Sequence, residues 1–287
     1  MSEAAISAPP RRWRFREWSA LPGFWPSLGF TLVYLSFFVL LPLAALALRP
    51  WEIGLDGVWR VISAPRTVAA LQLSFGAALL AALINLIFAP IAAWVLVRYD
   101  FPGKKLLDSL VDLPFALPTA VAGISLAAIY APNGWVGALF MPLDIRIAYT
   151  PLGVLIALIF VGFPFIVRAV QPVLEDLDKE MEEAAATLGA SRWRTITKVI
   201  IPTLAPSLIA GFSLAFARAV GEYGSVIFIA GNLPMISEIA PLVIIIHLEE
   251  FNYAGAAAVG LTMLAISFTI LLALNAWQGA LARRGKR

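Results

Sequence analysis

Residues 183–202 read EAAATLGASRWRTITKVIIP and form the most polar long segment of a chain that is otherwise mostly apolar. A long hydrophobic segment precedes this stretch and another follows it. A polar loop between two membrane-spanning segments lies at a membrane surface, so this stretch decides how the rest of the chain is arranged. Gly189 interrupts it and Pro202 closes it.

The composition indicates a membrane protein. Hydrophobic residues make up 61% of the 287 residues and charged residues 14%, with a mean hydropathy of +0.87. Soluble domains carry about 25% charged residues, so this chain cannot cover a globular surface with charge. It has no cysteine, which excludes disulfides, thiolate metal sites and cysteine nucleophiles. Its one histidine, His247, stands in the run HLEE at a predicted helix end, and no metal is expected there.

Six segments are long and apolar enough to be predicted membrane spans, which need about 20 residues each. A seventh apolar run, residues 239–248, is too short to span and is predicted to be a re-entrant or interfacial helix on the outer side. The six predicted spans cover residues 27–48, 69–97, 110–131, 151–170, 204–229 and 256–280.

The distribution of lysine and arginine predicts the orientation. With a cytoplasmic N-terminus, the inner segments hold 15 of these residues and the outer segments hold four: Arg49, Arg60, Arg66 and Arg146. We therefore predict an all-α polytopic membrane protein with six transmembrane helices and both termini cytoplasmic. Its predicted parts are a basic segment at 1–26, a transmembrane domain at 27–281 with a cytoplasmic loop at 171–202, and a basic tail at 282–287.

The loop has the periodicity of a helix followed by a break and a second helix. Gly189 is a helix-ending residue, Ser191 is a capping residue for a short helix that reaches about Ile200, and Pro202 suits the first turn of the fifth span. Apolar residues at spacings of three or four predict one stripe of the first helix: Leu174, Leu177, Met181, Ala184 and Leu188.

Two interpretations of this amphipathic helix are open. It either rests on the bilayer or docks on a protein. Its first half carries six acidic residues between positions 175 and 183, whereas helices that lie on anionic lipid are usually basic. The acidity favours a protein partner, and the small residues at 184–186 would let that partner approach closely.

Two further segments carry polar groups within predicted spans. Arg218 and Glu222 are four residues apart in the fifth span, so they are expected to pair on one helix face. The pair either locks two helices together or places positive potential along an anion route. In the segment DLPFALPTAVAG, at 112–123, Pro114 and Pro118 interrupt the third span. This is either a simple proline kink or irregular backbone beside a cavity, which Thr119 and Ser125 would line.

The loop resembles that of type I ABC importer permeases, which carry the pattern E-A-A-x-x-x-G, nine residues, then I-x-L-P. The resemblance implies the type I permease fold, with its core at about 66–278. It also implies that the loop contains the coupling helix that fits a cleft on an ATPase. The positions that match are Glu183, Ala184, Ala185, Gly189, Val199, Ile201 and Pro202, with aliphatic departures at 199 and 201.

Longer stretches are similar to the sulfate/thiosulfate branch of these permeases, of the CysT type. They include RYDFPGKKLLD at 98–108, PFIVRAVQPVLEDL at 164–177 and RAVGEYGSVIFIAGNLP at 218–234. The resemblance implies a bacterial inner-membrane subunit that works by alternating access. Its implied partners are a homologous second permease, two ATPase subunits and a periplasmic sulfate/thiosulfate-binding protein.

The chain has no glycine-rich loop of the form G-x-x-x-x-G-K-[ST], so no cofactor is expected on it, and ATP and Mg²⁺ would bind the partner ATPase. No catalytic site, metal or nucleic acid is expected. One alternative is the same role for molybdate, tungstate or another oxyanion. A second is an ion-coupled secondary transporter, which needs an unpaired acid near the midplane, where only Glu222 qualifies. An intramembrane enzyme is disfavoured because nucleophile and base combinations are scarce.

Overall fold

The computed structural model describes residues 23–284, and these form helices and loops without a β-strand. The predicted basic segments lie mostly outside this range: residues 1–22 of the first segment, and 285–287 of the tail. The helices are α1 Phe24–Leu35, α2 Leu41–Leu48, α3 Gly54–Ile62, α4 Pro65–Arg98, α5 Lys104–Val111, α6 Leu113–Ala116, α7 Thr119–Tyr130, α8 Gly137–Phe140, α9 Pro151–Glu175, α10 Lys179–Thr187, α11 Arg192–Thr195, α12 Ile201–Val220, α13 Val226–Ile229, α14 Ala240–Glu249 and α15 Tyr253–Arg284. Two π-helical segments, Ser36–Leu40 and Ile196–Ile200, and two 3₁₀ segments, Arg49–Ile53 and Met141–Leu143, join some of these helices.

By its internal contacts the chain divides into two units, Met1–Ala45 and Leu46–Arg287. The described part of the first unit is an apolar helix that continues from α1 through the π-helical segment. Aromatic side chains four residues apart contact one another along it. The rings of Phe30 and Tyr34 stack with centroids 6.2 Å apart, and those of Tyr34 and Phe38 are tilted with centroids 4.8 Å apart.

The core of the second unit is built from α4, α9 and α12, which pack against one another. The buried positions of α4 are mostly alanines, and small side chains let helices approach closely in the absence of a hydrophobic driving force. Asn85 on α4 is buried, and its Nδ2 donates an interhelical hydrogen bond to the carbonyl of Ile159 on α9 at 2.9 Å. The buried alanines of α4 include Ala78, Ala81, Ala82, Ala89 and Ala93.

Five helical segments among the described residues are long and apolar enough to cross a membrane: Phe24–Ser63, Pro65–Arg98, Pro151–Glu175, Arg192–Val220 and Tyr253–Leu274. They match five of the six predicted spans. The third predicted span, 110–131, is divided among α5, α6 and α7. Pro118 follows Leu117, whose ψ of 137° is extended, because proline disfavours the helical conformation in the residue before it. The predicted interruption at Pro118 is thus confirmed, whereas Pro114 lies in the first turn of the four-residue helix α6.

The predicted fifth span was too long at its C-terminal end. α12 ends at Val220, and residues 221–229 form a turn and the four-residue helix α13 where 204–229 was expected to be one helix. The turn is stabilised by a side chain: the Glu222 carboxylate accepts hydrogen bonds from Ser225 N and Oγ, both at 2.9 Å. The predicted short helix at 239–248 is present as α14, which packs on α4 and α15.

Candidate functional site: the loop between α9 and α12

The loop between α9 and α12 has the helix, break and helix that its sequence predicts. α10 ends in a Schellman motif, in which Gly189 N donates to Ala186 O at 2.9 Å and Ala190 N donates to Ala185 O at 3.0 Å. This motif needs a left-handed residue after the helix, and Gly189 supplies it with a φ of +78°. Ser191 then caps α11, because its Oγ accepts from Arg194 N at 3.4 Å.

The predicted apolar stripe does not lie on a single helix. α9 runs to Glu175 and α10 begins at Lys179, so the break falls within the stripe. Leu174 and Leu177 are buried in the core, whereas Met181 is 41% and Leu188 88% exposed. The predicted stripe is therefore divided into two parts. Leu174 and Leu177 pack in the core and fix the base of the loop, whereas Met181 and Leu188 belong to an exposed apolar surface at α10.

Of the predicted coupling residues, Glu183, Ala184 and Ala185 lie on α10, and Gly189 and Pro202 follow it in the chain. Glu183 and Ala184 are exposed and Ala185 is half-buried. Gly189 forms the break, and Pro202 is the second residue of α12. Trp193 on α11 is 73% exposed, which adds a large apolar side chain that the motif alone did not single out. The arrangement presents apolar and acidic groups together, as a surface for a protein partner would.

One arginine ties this loop to the transmembrane core. Arg98, the last residue of α4, donates through Nη2 to Glu182 Oε1 at 2.8 Å and to the carbonyl of Leu177 at 3.0 Å. Sequence reasoning counted Arg98 only as an inner-side positive charge and missed this contact. Arg98 is 79 positions from Leu177 and 84 from Glu182, so no local sequence spacing indicates these contacts.

The predicted ion pair in the fifth span is present, although the two residues do not share a helix. Arg218 Nη1 lies 2.5 Å from Glu222 Oε2, and Glu222 follows the end of α12. The Glu222 side chain is 1% exposed and that of Arg218 is 37% exposed. With Ser225 also donating to it, Glu222 is a buried acceptor that fixes both the arginine and the turn.

Thr119 and Ser125 are on different sides of α7. Thr119 lies beside the turn that contains Glu222, since a Cβ on Gly224 would meet its Oγ1. Ser125 is exposed and borders a cavity of about 440 Å³ with Asn133 and Trp135. The structure therefore brings Thr119 close to the Arg218–Glu222 turn and leaves Ser125 apart from it.

Arg168 forms a second polar cluster that the sequence analysis missed. From α9 it donates to Asp112 at 2.8 and 2.6 Å, to Asp108 at 2.7 Å and to the side chain of Gln171 at 2.5 Å. Asp108 and Asp112 are four residues apart, on and just after α5, so they face one side. An arginine inside an apolar helix and two acids at that spacing were signals that could have suggested the pairing.

The family model described as "Binding-protein-dependent transport system inner membrane component" matches residues 85–287, which is most of the chain. The chain belongs to this family. It is thus an inner-membrane permease component of a transport system, and the loop and the helical core described above are parts of such a permease.

Within this family, the chain is similar to sulfate transport system permeases. The chain is 46% identical over 264 residues to the sulfate transport system permease protein CysT of Escherichia coli (strain K12), covering 92% of this chain and 95% of that protein. It is 45% identical over 259 residues to CysT of Synechocystis sp. (strain ATCC 27184 / PCC 6803 / Kazusa), covering 89% and 91%.

Among solved structures, the permease resembles a chain of a bacterial alginate ABC transporter in complex with alginate pentasaccharide-bound periplasmic protein. The TM-score is 0.71 at 18% identity, over 88% of this chain and 92% of that chain. At this identity the likeness shows the fold alone, which is that of an ABC transporter permease.

Proposed function

We propose that this permease moves sulfate or thiosulfate into the cytoplasm as the membrane-spanning subunit of an ATP-driven importer. The observation that carries the proposal is the 46% identity with the sulfate permease of E. coli K12 across 92% of this chain. An identity of this size over 264 residues favours a shared cargo class over a shared fold alone.

The proposed mechanism is alternating access driven from the loop between α9 and α12. An ATPase docks on the exposed acidic and apolar surface of α10, and its closure on ATP moves the loop. Glu183, Ala184, Ala185, Gly189 and Pro202 are the proposed coupling residues. ATP and Mg²⁺ bind the ATPase, so this chain performs no bond chemistry and holds no cofactor.

The proposed assembly contains a homologous second permease, two ATPase subunits and a periplasmic binding protein for sulfate or thiosulfate. Both termini are proposed to be cytoplasmic. The region α5–α7 is proposed to serve as a sixth crossing, broken at Pro118, in addition to the five long helices.

We also propose that the Arg218–Glu222 pair lies beside the anion route. Arg218 keeps 37% of its side chain exposed while its buried partner fixes it, so a positive group is held in place with part of its surface available. Thr119 is proposed as its neighbour on the route, and the exposed Ser125 as a separate polar group.

The test is uptake of labelled sulfate by cells that lack their own sulfate permease and express this chain with its partner subunits. We expect ATP-dependent sulfate uptake that excess thiosulfate reduces and molybdate does not. Uptake of molybdate or tungstate in place of sulfate would support the alternative cargo. Uptake that persists without the ATPase would contradict the ATP-driven mechanism and favour an ion-coupled transporter.

A further inference from the structure

Arg98 occupies a position that joins the end of a core helix to the coupling loop. Its side chain is 11% exposed, and its guanidinium lies 5.4 Å from the ring centroid of Trp94, one turn earlier on α4. An arginine at a helix C-terminus also interacts favourably with the negative end of the helix dipole. The guanidinium is therefore held on α4 before it reaches the loop.

The two groups that Arg98 binds are on different parts of the loop. Leu177 lies in the turn between α9 and α10 and is buried, so its carbonyl belongs to the fixed base. Glu182 is in the middle of α10, on the part with the exposed docking surface. One guanidinium nitrogen thus connects the end of α4 to both the base of the loop and α10, through charge-assisted bonds that are stronger than neutral ones.

The second helix of the loop, α11, and the π-helical segment after it also lie close to the end of α4. Trp94 borders an apolar cavity of about 680 Å³ together with Trp193, Ile196 and Ile200, which belong to α11 and the π-helical segment after it. Because α4 packs against both helices that flank the loop, α9 and α12, a displacement of its end is passed into the core. The cavity leaves room on the α11 side, whereas the Arg98 contacts on the α10 side are direct.

From this geometry we infer that Arg98 is a positioning residue for energy coupling, which passes the movement of α10 to α4 through Glu182 and Leu177. The inference rests on the proposed function, since it assumes an ATPase on α10. Without Arg98 the ATPase still docks and hydrolyses ATP, but α4 follows the movement of α10 less closely.

The experiment follows α4 in the full complex by a fluorescent label. The chain has no cysteine, so Val68→Cys, at an exposed position near the start of α4, takes a single label. Arg98→Met in this background is expected to co-purify with the ATPase and hydrolyse ATP, while the equilibrium between its ATP-free and ATP-bound fluorescence levels shifts about tenfold toward the ATP-free level, as expected for loss of a charged hydrogen-bonded contact. Arg98→Lys keeps the charge and one donor group, and we expect it to restore part of the change.

Two further variants show whether the ion pair is the unit that acts. Glu182→Gln is expected to reduce the fluorescence change, and Arg98→Met combined with Glu182→Gln to be no worse than Arg98→Met alone, because contacting residues give non-additive effects. The matched control is Lys104→Met, which removes another inner-side pair at 3.0 Å from Asp100. Asp100 is 99% exposed in that pair, and exposed pairs contribute little, so no change is expected.

Several outcomes would overturn the inference. An ATP response in Arg98→Met equal to that of the unmutated chain would do so, as would additive effects of the two substitutions. Loss of the ATPase from both Arg98→Met and Glu182→Gln would show that the contact between these residues only maintains the structure of the loop. The readout does not depend on the cargo: a wrong anion would appear in the uptake assay alone, and an absent ATP response in the unmutated chain would overturn the proposed function and the Arg98 link together.

Discussion

At the scale of single residues, Gly189 gives the sharpest prediction. Its φ of +78° strains any residue with a branched side chain, yet a Cβ there would meet no atom within 4 Å. Gly189→Val therefore changes the backbone of the loop without disturbing a packed core, at a cost of about 1–2 kcal/mol or more. We expect the variant to insert in the membrane and to lose ATP-driven uptake, because α10 and α11 no longer meet at the same angle.

The control for this variant is Gly189→Asn, since asparagine tolerates the left-handed conformation better than other residues. It should retain more uptake than Gly189→Val at equal amounts of membrane-inserted protein. Unchanged ATP-driven uptake in Gly189→Val would show that the break does not couple the loop to transport.

Local chemistry determined which residues the sequence could identify. Gly189 and Ser191 act through neighbours within five positions, and their roles as helix end and cap were predicted correctly. Arg98 and Arg168 act on groups 56 to 84 positions away, and only packing of α4, α5, α9 and α10 brings them together. The Arg218–Glu222 pair lies between these cases: the spacing predicted the contact, while the turn that buries Glu222 depends on Ser225.

At the scale of helices, the contact of α7 with the turn before α13 depends on Gly123. A Cβ at this position would lie 2.3 Å from the carbonyl oxygen of Ser225, and a backbone group cannot rotate away. Gly123→Ala should force α7 and this turn apart and destabilise the protein by about 1–3 kcal/mol, as overpacking does. The midpoint of thermal unfolding in detergent measures this.

Gly76→Ala is the matched control, because Gly76 also lies within a helix, α4, and a Cβ there would meet no atom within 4 Å. Its midpoint should be unchanged or slightly higher, since alanine favours helix over glycine. Equal midpoints for the two variants would contradict the close approach of α7 to the turn.

A proline made the break between α6 and α7 predictable, whereas no proline marks the end of α12. Pro118 ends α6 and begins α7 because of a steric rule that acts on the preceding residue. The end of α12 at Val220 has no proline to mark it. The chain is apolar again from Val226 to Ile229, so hydropathy alone extends the helix to 229. The turn there is stabilised by the buried carboxylate of Glu222, a tertiary feature that a hydropathy pattern does not contain.

At the scale of the whole molecule, hydropathy and charge predicted an all-helical membrane chain with six spans, and the described residues contain five of them as long apolar helices. The crossing by α5–α7 and the inner position of both termini stay predictions. They are linked, because five crossings would put the two ends of the chain on opposite sides of the membrane and six would put them on the same side.

Labelling from one side of the membrane separates these topologies. Lys105 and Asn133 are both exposed and lie before and after the α5–α7 region, and the absence of native cysteine lets each be replaced by a single reactive one. We expect Asn133→Cys to react with an impermeant maleimide added outside spheroplasts, and Lys105→Cys to react only after the membrane is opened. If α5–α7 does not cross, the two positions lie on one side and label alike, and the positive charges at 98–105 could not be inside while the loop at 131–150 is outside.

The same assay tests which side α10 faces. The exposed surface of α10 must face the same side as Lys105 for an ATPase to reach it. We therefore expect Ala186→Cys, at an exposed position of α10, to label under the same conditions as Lys105→Cys. Labelling of Ala186→Cys from outside would contradict the coupling role of the loop.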